Sequence, residues 1–479
     1  MRLQSKRINT PFWKSPIVCV FLLSLVYWLY LSMTTRINFV YDSVSYENLG
    51  RMIETQGWNS YFTTGPNREP LYPLLVAASM SIGHITGLAY AQVMALLGVG
   101  IMFLTQLLTY RILRILNIHR GVCILVLSYL ALSPSLNNCA FSLYSEIAAL
   151  PLILGIVLVS FYAWEAITKN NRQQAISYGA LLGILLTAAT MVKAVFECIT
   201  PVYLIILFMT IFLAKKEIAS SSRQKVGTPR NDTLKLLLCL AASASFYYVP
   251  ITGYKYLNLH YNGNFAITDR GSWALYGNTA RRMEPLTFKR FAEAVSYAPG
   301  AGVCNSLFGP KECDFWSYRQ SDEMGMLKQD ELSTQHLSPE KINADLIKMS
   351  AQKAIHKPFQ YFLLTLVESV KMFFWESTRI GFVSYPNWLQ RIYDIKFLND
   401  ALRFFMSLVT MAAVAALWYS ALNPKKSPLG FLLGLMIFLY IFFFSFFFIL
   451  TRYALPIAPL YLIAIGAWLN KYLNPKKTN

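Results

Sequence analysis

Apolar stretches of roughly twenty residues, the length a helix needs to cross a bilayer, recur along this chain. Ser15 to Met33 is one, and Leu429 to Leu450, which contains IFFFSFFFIL, is another. Charge is rationed to match: 14% of the 479 residues are Asp, Glu, Lys or Arg, against roughly 25% in a soluble domain. A chain of this kind folds as an all-α integral membrane protein. A disordered or fibrous fold is excluded, and the composition argues against a soluble enzyme.

The net charge of +19 does not mark a nucleic-acid binder. Most of it sits in short segments flanking the apolar runs: Arg2, Lys6, Arg7 and Lys14; Arg111, Arg114 and Arg120; Lys169 and Arg172; Lys215 to Lys235; Lys425 and Lys426; Lys471, Lys476 and Lys477. This is the positive-inside pattern that orients membrane helices. Used as parity markers, these segments give about ten crossings with both termini inside. The first is read as an anchor at Ser15 to Met33, not a removed signal peptide. The others are expected near 89–110, 121–138, 147–165, 176–194, 196–214, 235–255, 403–422, 429–450 and 454–470. Parity leaves Leu71 to Gly87 uncrossed, lying at the outer surface or dipping part-way in.

The chain thus divides into a membrane module over 1–255, a large and mainly helical outer loop over 256–402, and terminal membrane helices over 403–479. The first outer loop spans 34–88. In the large loop, Ser338-Pro339-Glu340 predicts a helix start. The run from Phe359 to Phe374 reads as an interfacial helix, since a span there would break the parity. Cys304 and Cys313 are either a disulfide closing a small loop or two free thiols.

The spans are nearly free of charge, so charges at their outer ends stand out. Asp42 follows the first span and precedes a helical stretch, Val44 to Gln56, that Gly57 ends. Its structural alternative is a helix N-cap. Arg68-Glu69-Pro70 opens the Leu71 segment; the alternative is a snorkelling Arg beside a solvated Glu. Glu146 starts a span after a very short turn, where a carboxylate is costly unless paired, hydrated or metal-bound; the alternative is a favourable helix-dipole position. Lys193 ends a span, and it either faces a phosphate or pairs with Glu197 four residues on. Arg452-Tyr453 adds a cation between the last two spans. If they converge, Asp42, Glu69 and Glu146 can accept a proton from an acceptor hydroxyl or hold a divalent metal. Arg68, Lys193 and Arg452 can stabilise a departing lipid phosphate.

In their order these motifs resemble the GT-C membrane glycosyltransferases, in particular the dolichyl-phosphate-mannose–protein mannosyltransferase superfamily and its bacterial aminoarabinose-transferase-like members. The matching pieces are Asp42-Ser43-Val44-Ser45-Tyr46, Arg68-Glu69-Pro70-Leu71-Tyr72-Pro73, Ser145-Glu146, Gly179 to Gly183 leading to Lys193, and Arg452-Tyr453-Ala454-Leu455-Pro456. The likeness covers 15–215 and 400–470. The resemblance implies an inner-membrane enzyme working at the periplasmic face. It moves a sugar from a polyprenyl-phosphate donor to a lipid, polysaccharide or protein acceptor, with inversion. Asp42 then acts as base or metal contact, Glu146 is a second acidic position, and the metal, Mg or Mn, is held by Asp42 and Glu146. Arg68, Lys193, Arg452 and Tyr453 hold the donor phosphate. The chain departs at Asn67-Arg68-Glu69-Pro70, where Glu-Lys-Pro-Pro is expected, so the acidic role there falls to Glu69 or Asn67.

Two rivals remain from the sequence. A transporter or flippase needs midspan polar groups and inverted repeats, which the sequence lacks. A lipid-linked glycan polymerase or ligase would use a large outer loop rich in Arg or His, and Arg270, Arg281 and Arg282 lie in that loop.

Overall fold

The structure is a computed structural model that describes residues 16–65, 68–169, 171–221 and 229–473. Asn67 and the basic residues Arg2, Lys6, Arg7, Lys14, Arg223, Lys225, Lys476 and Lys477 lie outside the described residues. Eight described helices are long and apolar enough to cross a membrane: Pro16–Thr34, Tyr90–Ile115, Glu146–Thr168, Arg172–Val192, Phe196–Ala214, Thr233–Asn262, Lys396–Ala421 and Thr451–Leu473. The expected crossing at 121–138 is instead a pair, Arg120–Leu132 and Pro134–Ala140, bent by 51°. Counted as one broken span, it makes nine. The expected crossing at 429–450 is a shorter helix, Pro428–Phe444.

The break at Ser133-Pro134 has a local and a distant cause. Proline cannot continue the hydrogen-bond ladder but suits the first position of a new helix. The freed backbone then finds a partner in Glu376, which lies far along the chain. Its carboxylate accepts from Ser135 N at 2.9 Å, Ser133 Oγ at 2.7 Å and Tyr129 Oη at 2.8 Å. Irregular backbone in such a bundle is tolerated only when protein or water satisfies it.

Glu146–Thr168 and Thr451–Leu473 form the centre of the bundle, with 78% and 72% of their apolar windows buried. Glycines set the closest approaches. Gly179 and Gly183 lie one turn apart on Arg172–Val192 and face the carbonyls of Cys239 and Ser243, where a Cβ would come within 2.5 and 2.4 Å. This small-xxx-small contact lets two backbones touch where burial of apolar surface gives no help.

The expected loop over 256–402 is narrower, because the helix Thr233–Asn262 runs past 255 and the next apolar helix begins at Lys396. Residues 263–395 form a helical cap on one end of the bundle. Its helices include Arg270–Arg282, Tyr318–Ser333, Pro339–His356 and Pro358–Ser369. Ser338 caps the third of these by accepting from Lys341 N, as its sequence predicts. Pro358–Ser369 buries Leu364 and Glu368 and exposes Phe359 and Phe362. At 12 residues it is about 18 Å long, too short to cross. Cys304 and Cys313 are disulfide-bonded.

The cap is stitched to the first loop. Arg36–Ile37 pairs antiparallel with Val383–Ser384, and Asn38 N donates to Phe382 O at 3.0 Å. In the first loop, Asp42–Thr63 breaks at Gly57, whose φ is 80°, so the expected stop is present and the helix resumes beyond it. Leu71–Thr86 packs on it, with Val76 against Gly50.

Candidate active site

Asp42 is the first residue of its helix, not the cap. Tyr41 occupies the cap position and makes no side-chain capping bond there. The Ser43 hydroxyl satisfies Val40 instead. The Asp42 carboxylate is therefore free to turn away from its own helix, and two arginines hold it. Arg68 Nη2 donates to Oδ1 at 2.5 Å, and Arg452 Nη2 donates to Oδ2 at 2.5 Å. A third, Arg270, opens the cap helix Arg270–Arg282 and lies 3.9 Å from Oδ1. Burial alone would push the Asp42 carboxyl up. Arg452 and Arg68 override it and hold the group well below the ordinary carboxylate range.

Aromatic rings fix these guanidiniums. Arg68 lies 5.0 Å over Tyr46, and its own carbonyl accepts from Tyr61 Oη at 2.8 Å. Arg452 lies 4.8 Å over Tyr144 and 5.5 Å from Phe382 and Tyr453. Contacts of this kind are worth about 0.5–2 kcal/mol each, and several around one group define a single orientation.

Glu146 begins its helix with only 2% exposure. Its Oε1 accepts from Lys193 Nζ at 2.9 Å, and its Oε2 has no hydrogen-bond partner among the described residues. Lys193 follows the end of Arg172–Val192 in extended conformation, so the i,i+4 geometry needed to pair with Glu197 does not exist. Glu197 pairs with Lys255 instead. Glu69 Oε1 accepts from Ala194 N at 2.8 Å, holding the bend beside Lys193.

The two ion-pair centres join through tyrosines. Tyr453 lies 5.5 Å from Arg452 and 5.8 Å from Lys193. Tyr46 lies under Arg68 and donates to Ser145 Oγ beside Glu146 at 2.9 Å. Asp42, Arg68, Glu69, Glu146, Lys193, Arg452 and Tyr453, picked out in the sequence, thus share one neighbourhood.

The residues do not fit the divalent metal implied by the resemblance. Both Asp42 oxygens are taken by guanidiniums with a third arginine beside them, and Glu146 is tied to an ammonium. A dication at either carboxylate would face these charges. Among the described residues no three His, Cys, Asp or Glu side chains gather to share a metal.

Two concavities lie in this part of the protein. One, about 710 Å³, lies between the Asp42 helix and the cap and is lined by Ser45, Asn48, Arg68, Arg270, Trp273 and Gln329 among others. The other, about 380 Å³, is wholly apolar and is lined by Trp58, Phe62, Leu71, Leu74, Met191 and Leu257 among others. Sequence reasoning missed Trp273, the supports from Tyr61 and Tyr144 and the pairing of Arg270 with Asp42. Only Tyr46, one helical turn from Asp42, carried a local signal.

Arg281 and Arg282 do not form a surface. Both are fully buried on Glu368, with Arg282 Nε 2.8 Å from Oε2. No protein-family model matches this chain, and no curated protein sequence matches it either.

Proposed function

We propose that this multi-pass membrane protein is an inverting glycosyltransferase that takes a sugar from a polyprenyl-phosphate donor and delivers it to an envelope acceptor. We place it in the inner membrane with the cap facing the periplasm. The observation that carries the reading is the meeting of Asp42, Arg68 and Arg452. Asp42 and Arg452 lie 410 residues apart in sequence, and Arg68 beside them lines an open cleft. An anion site with more cations than carboxylates suits a substrate that brings its own negative charge.

The lipid phosphate would lie against Arg68, Arg452 and Lys193. The apolar hollow starts at Pro70, two residues from Arg68, and at Met191, two residues from Lys193. A prenyl chain anchored by its phosphate enters it without leaving apolar surroundings. The polar cleft on the other side of Arg68 receives the acceptor. In the transition state charge grows on the leaving phosphate, and prealigned guanidiniums stabilise it without reorganising. The polymerase or ligase reading relied on Arg270, Arg281 and Arg282. Burial of the latter two removes them from contact with substrate.

The test is mass spectrometry of lipids and glycans from a strain lacking this chain. One sugar should vanish from one envelope component, and its polyprenyl-phosphate donor should accumulate. An unchanged envelope and unchanged lipid pool would overturn the reading.

A further inference from the structure

We propose that Asp322, on the cap helix Tyr318–Ser333, accepts the proton of the attacking acceptor hydroxyl. This rests on the glycosyl-transfer reading above and replaces Asp42 as the base. A general base needs a free lone pair facing the substrate and a proton affinity near that of its surroundings. Asp42 lacks the second, because the guanidiniums on its two oxygens hold its carboxyl well below the ordinary range. Glu69 holds the Ala194 amide, and Glu146 lies 2% exposed against Lys193.

Asp322 is placed differently. Its helix lends Met326, Gln329, Asp330 and Ser333 to the wall of the polar cleft. Asp322 precedes them by four, seven, eight and eleven positions, which puts it on the same helical face, one turn beyond Met326. The register of that face is fixed by backbone contact. Gly277 faces the carbonyl of Ser321 and Gly325 faces that of Trp273, so closely that a Cβ would come within 2.0 and 2.3 Å of the oxygens. This clamps Tyr318–Ser333 onto the helix that begins with Arg270. The charges of Arg270, Asp42 and Arg68, on other elements, act on Asp322, and Tyr318 hydrogen-bonds to it within its own helix. Tyr318 in turn lies near Tyr453 and Arg270. Burial raises the Asp322 carboxyl above its ordinary value, with Tyr318 and Arg270 opposing, the direction that strengthens a base.

A lone pair of the acceptor oxygen forms the new bond to the anomeric carbon. The bond from that carbon to the phosphate oxygen breaks, and its electron pair stays on the phosphate, facing Arg68, Arg452 and Lys193. The acceptor proton passes to the Asp322 carboxylate and then to water in the cleft.

The experiment complements the deletion strain with variants of the full chain. It follows restoration of the missing sugar by mass spectrometry, and transfer in isolated membranes across a pH series. Binding of a long-chain polyprenyl phosphate to purified protein is measured in parallel by native mass spectrometry. Asp322→Asn should bind the polyprenyl phosphate as wild type, transfer about 10²–10⁴-fold more slowly and lose the acid limb of the pH profile. Asp322→Glu should regain part of the rate. Asp42→Asn should alter polyprenyl-phosphate binding and keep the limb. Wild-type transfer by Asp322→Asn, or loss of the limb in Glu146→Gln instead, overturns the assignment. A wild-type chain that restores no sugar overturns the reaction, and the role of Asp322 with it.

Discussion

Two carboxylates in this protein are each surrounded by several cations, and their exposure separates their roles. Two of the arginines around Asp42, Arg68 and Arg270, line a cleft, so an external anion can compete for them. Glu368 is sealed, with Arg281, Arg282 and Lys371 around it, all four residues at most 3% exposed. Burial would raise the Glu368 carboxyl, but Arg281, Lys371 and Arg282 together hold it far below its usual range. For Lys371 the balance is reversed. Burial lowers it to about 8, with Glu368 opposing. Removing the one anion leaves three buried cations uncompensated, so Glu368→Gln should cost about 3–5 kcal/mol. It should appear as a large fall in thermal unfolding temperature in detergent. Lys371→Met, which keeps the two arginines on Glu368, should cost little. The sign of the pH effect follows from the same shift. A lysine whose folded value lies below its unfolded value binds fewer protons when folded, so its contribution to stability grows as pH rises from about 8 towards the ordinary lysine range. Lys371→Met should flatten that part of the curve, and an unchanged slope would count against it. At the open centre, Arg452→Ala should slow transfer by about 10²–10³, the usual effect of losing one prealigned donor. Arg452→Lys should not restore it, because a single ammonium lacks the planar fork that stacks on Tyr144 and reaches Asp42.

Helix-to-helix distance in the cap depends on residues without side chains. Gly277→Ala drives a methyl into the Ser321 carbonyl and should destabilise the cap by about 1–3 kcal/mol, seen as faster limited proteolysis. Gly302→Ala, in the helix Ala301–Phe308 with nothing within 4 Å of its Cβ position, should be neutral or slightly stabilising. Equal effects in both would show that the close contact carries no energy. The contacts of Gly277 and Gly325 explain what the sequence could not reveal. Glu146, Lys193 and Arg452 stand out because a charge at the edge of an apolar run is costly and calls for a partner. Arg270 and Asp322 lie in a polar segment, where charge is cheap and carries no signal. Which of the cap's charges turn inward is decided by backbone packing through Gly277 and Gly325, and no periodicity of polar residues encodes that. The break at Ser133-Pro134 was hidden for a similar reason. Proline alone permits either a kinked span or a broken one, and Glu376, 241 residues from Ser135, is what stabilises the break.

At the level of the whole molecule, three features tie the cap to one end of the bundle. They are the pairing of Arg36–Ile37 with Val383–Ser384, the bond from Trp388 Nε1 to Tyr30 Oη at 2.9 Å, and the approach of Arg270 to Asp42 at 3.9 Å. The Cys304–Cys313 disulfide lies in this cap, and a disulfide persists where the surroundings oxidise. The turn carrying Lys425 and Lys426 joins Lys396–Ala421 to Pro428–Phe444, and such lysines favour the opposite, cytoplasmic side. The two signals are independent in origin, one redox and one electrostatic, and both support the proposal that the cap faces the periplasm. Cysteines introduced singly as Leu327→Cys in the cap and Asn423→Cys in the lysine turn should therefore separate cleanly. In spheroplasts a membrane-impermeant maleimide should label the first and spare the second until the membrane is broken. The reverse pattern would put the arginine centre on the cytoplasmic face, and with it any donor would have to be a cytoplasmic one.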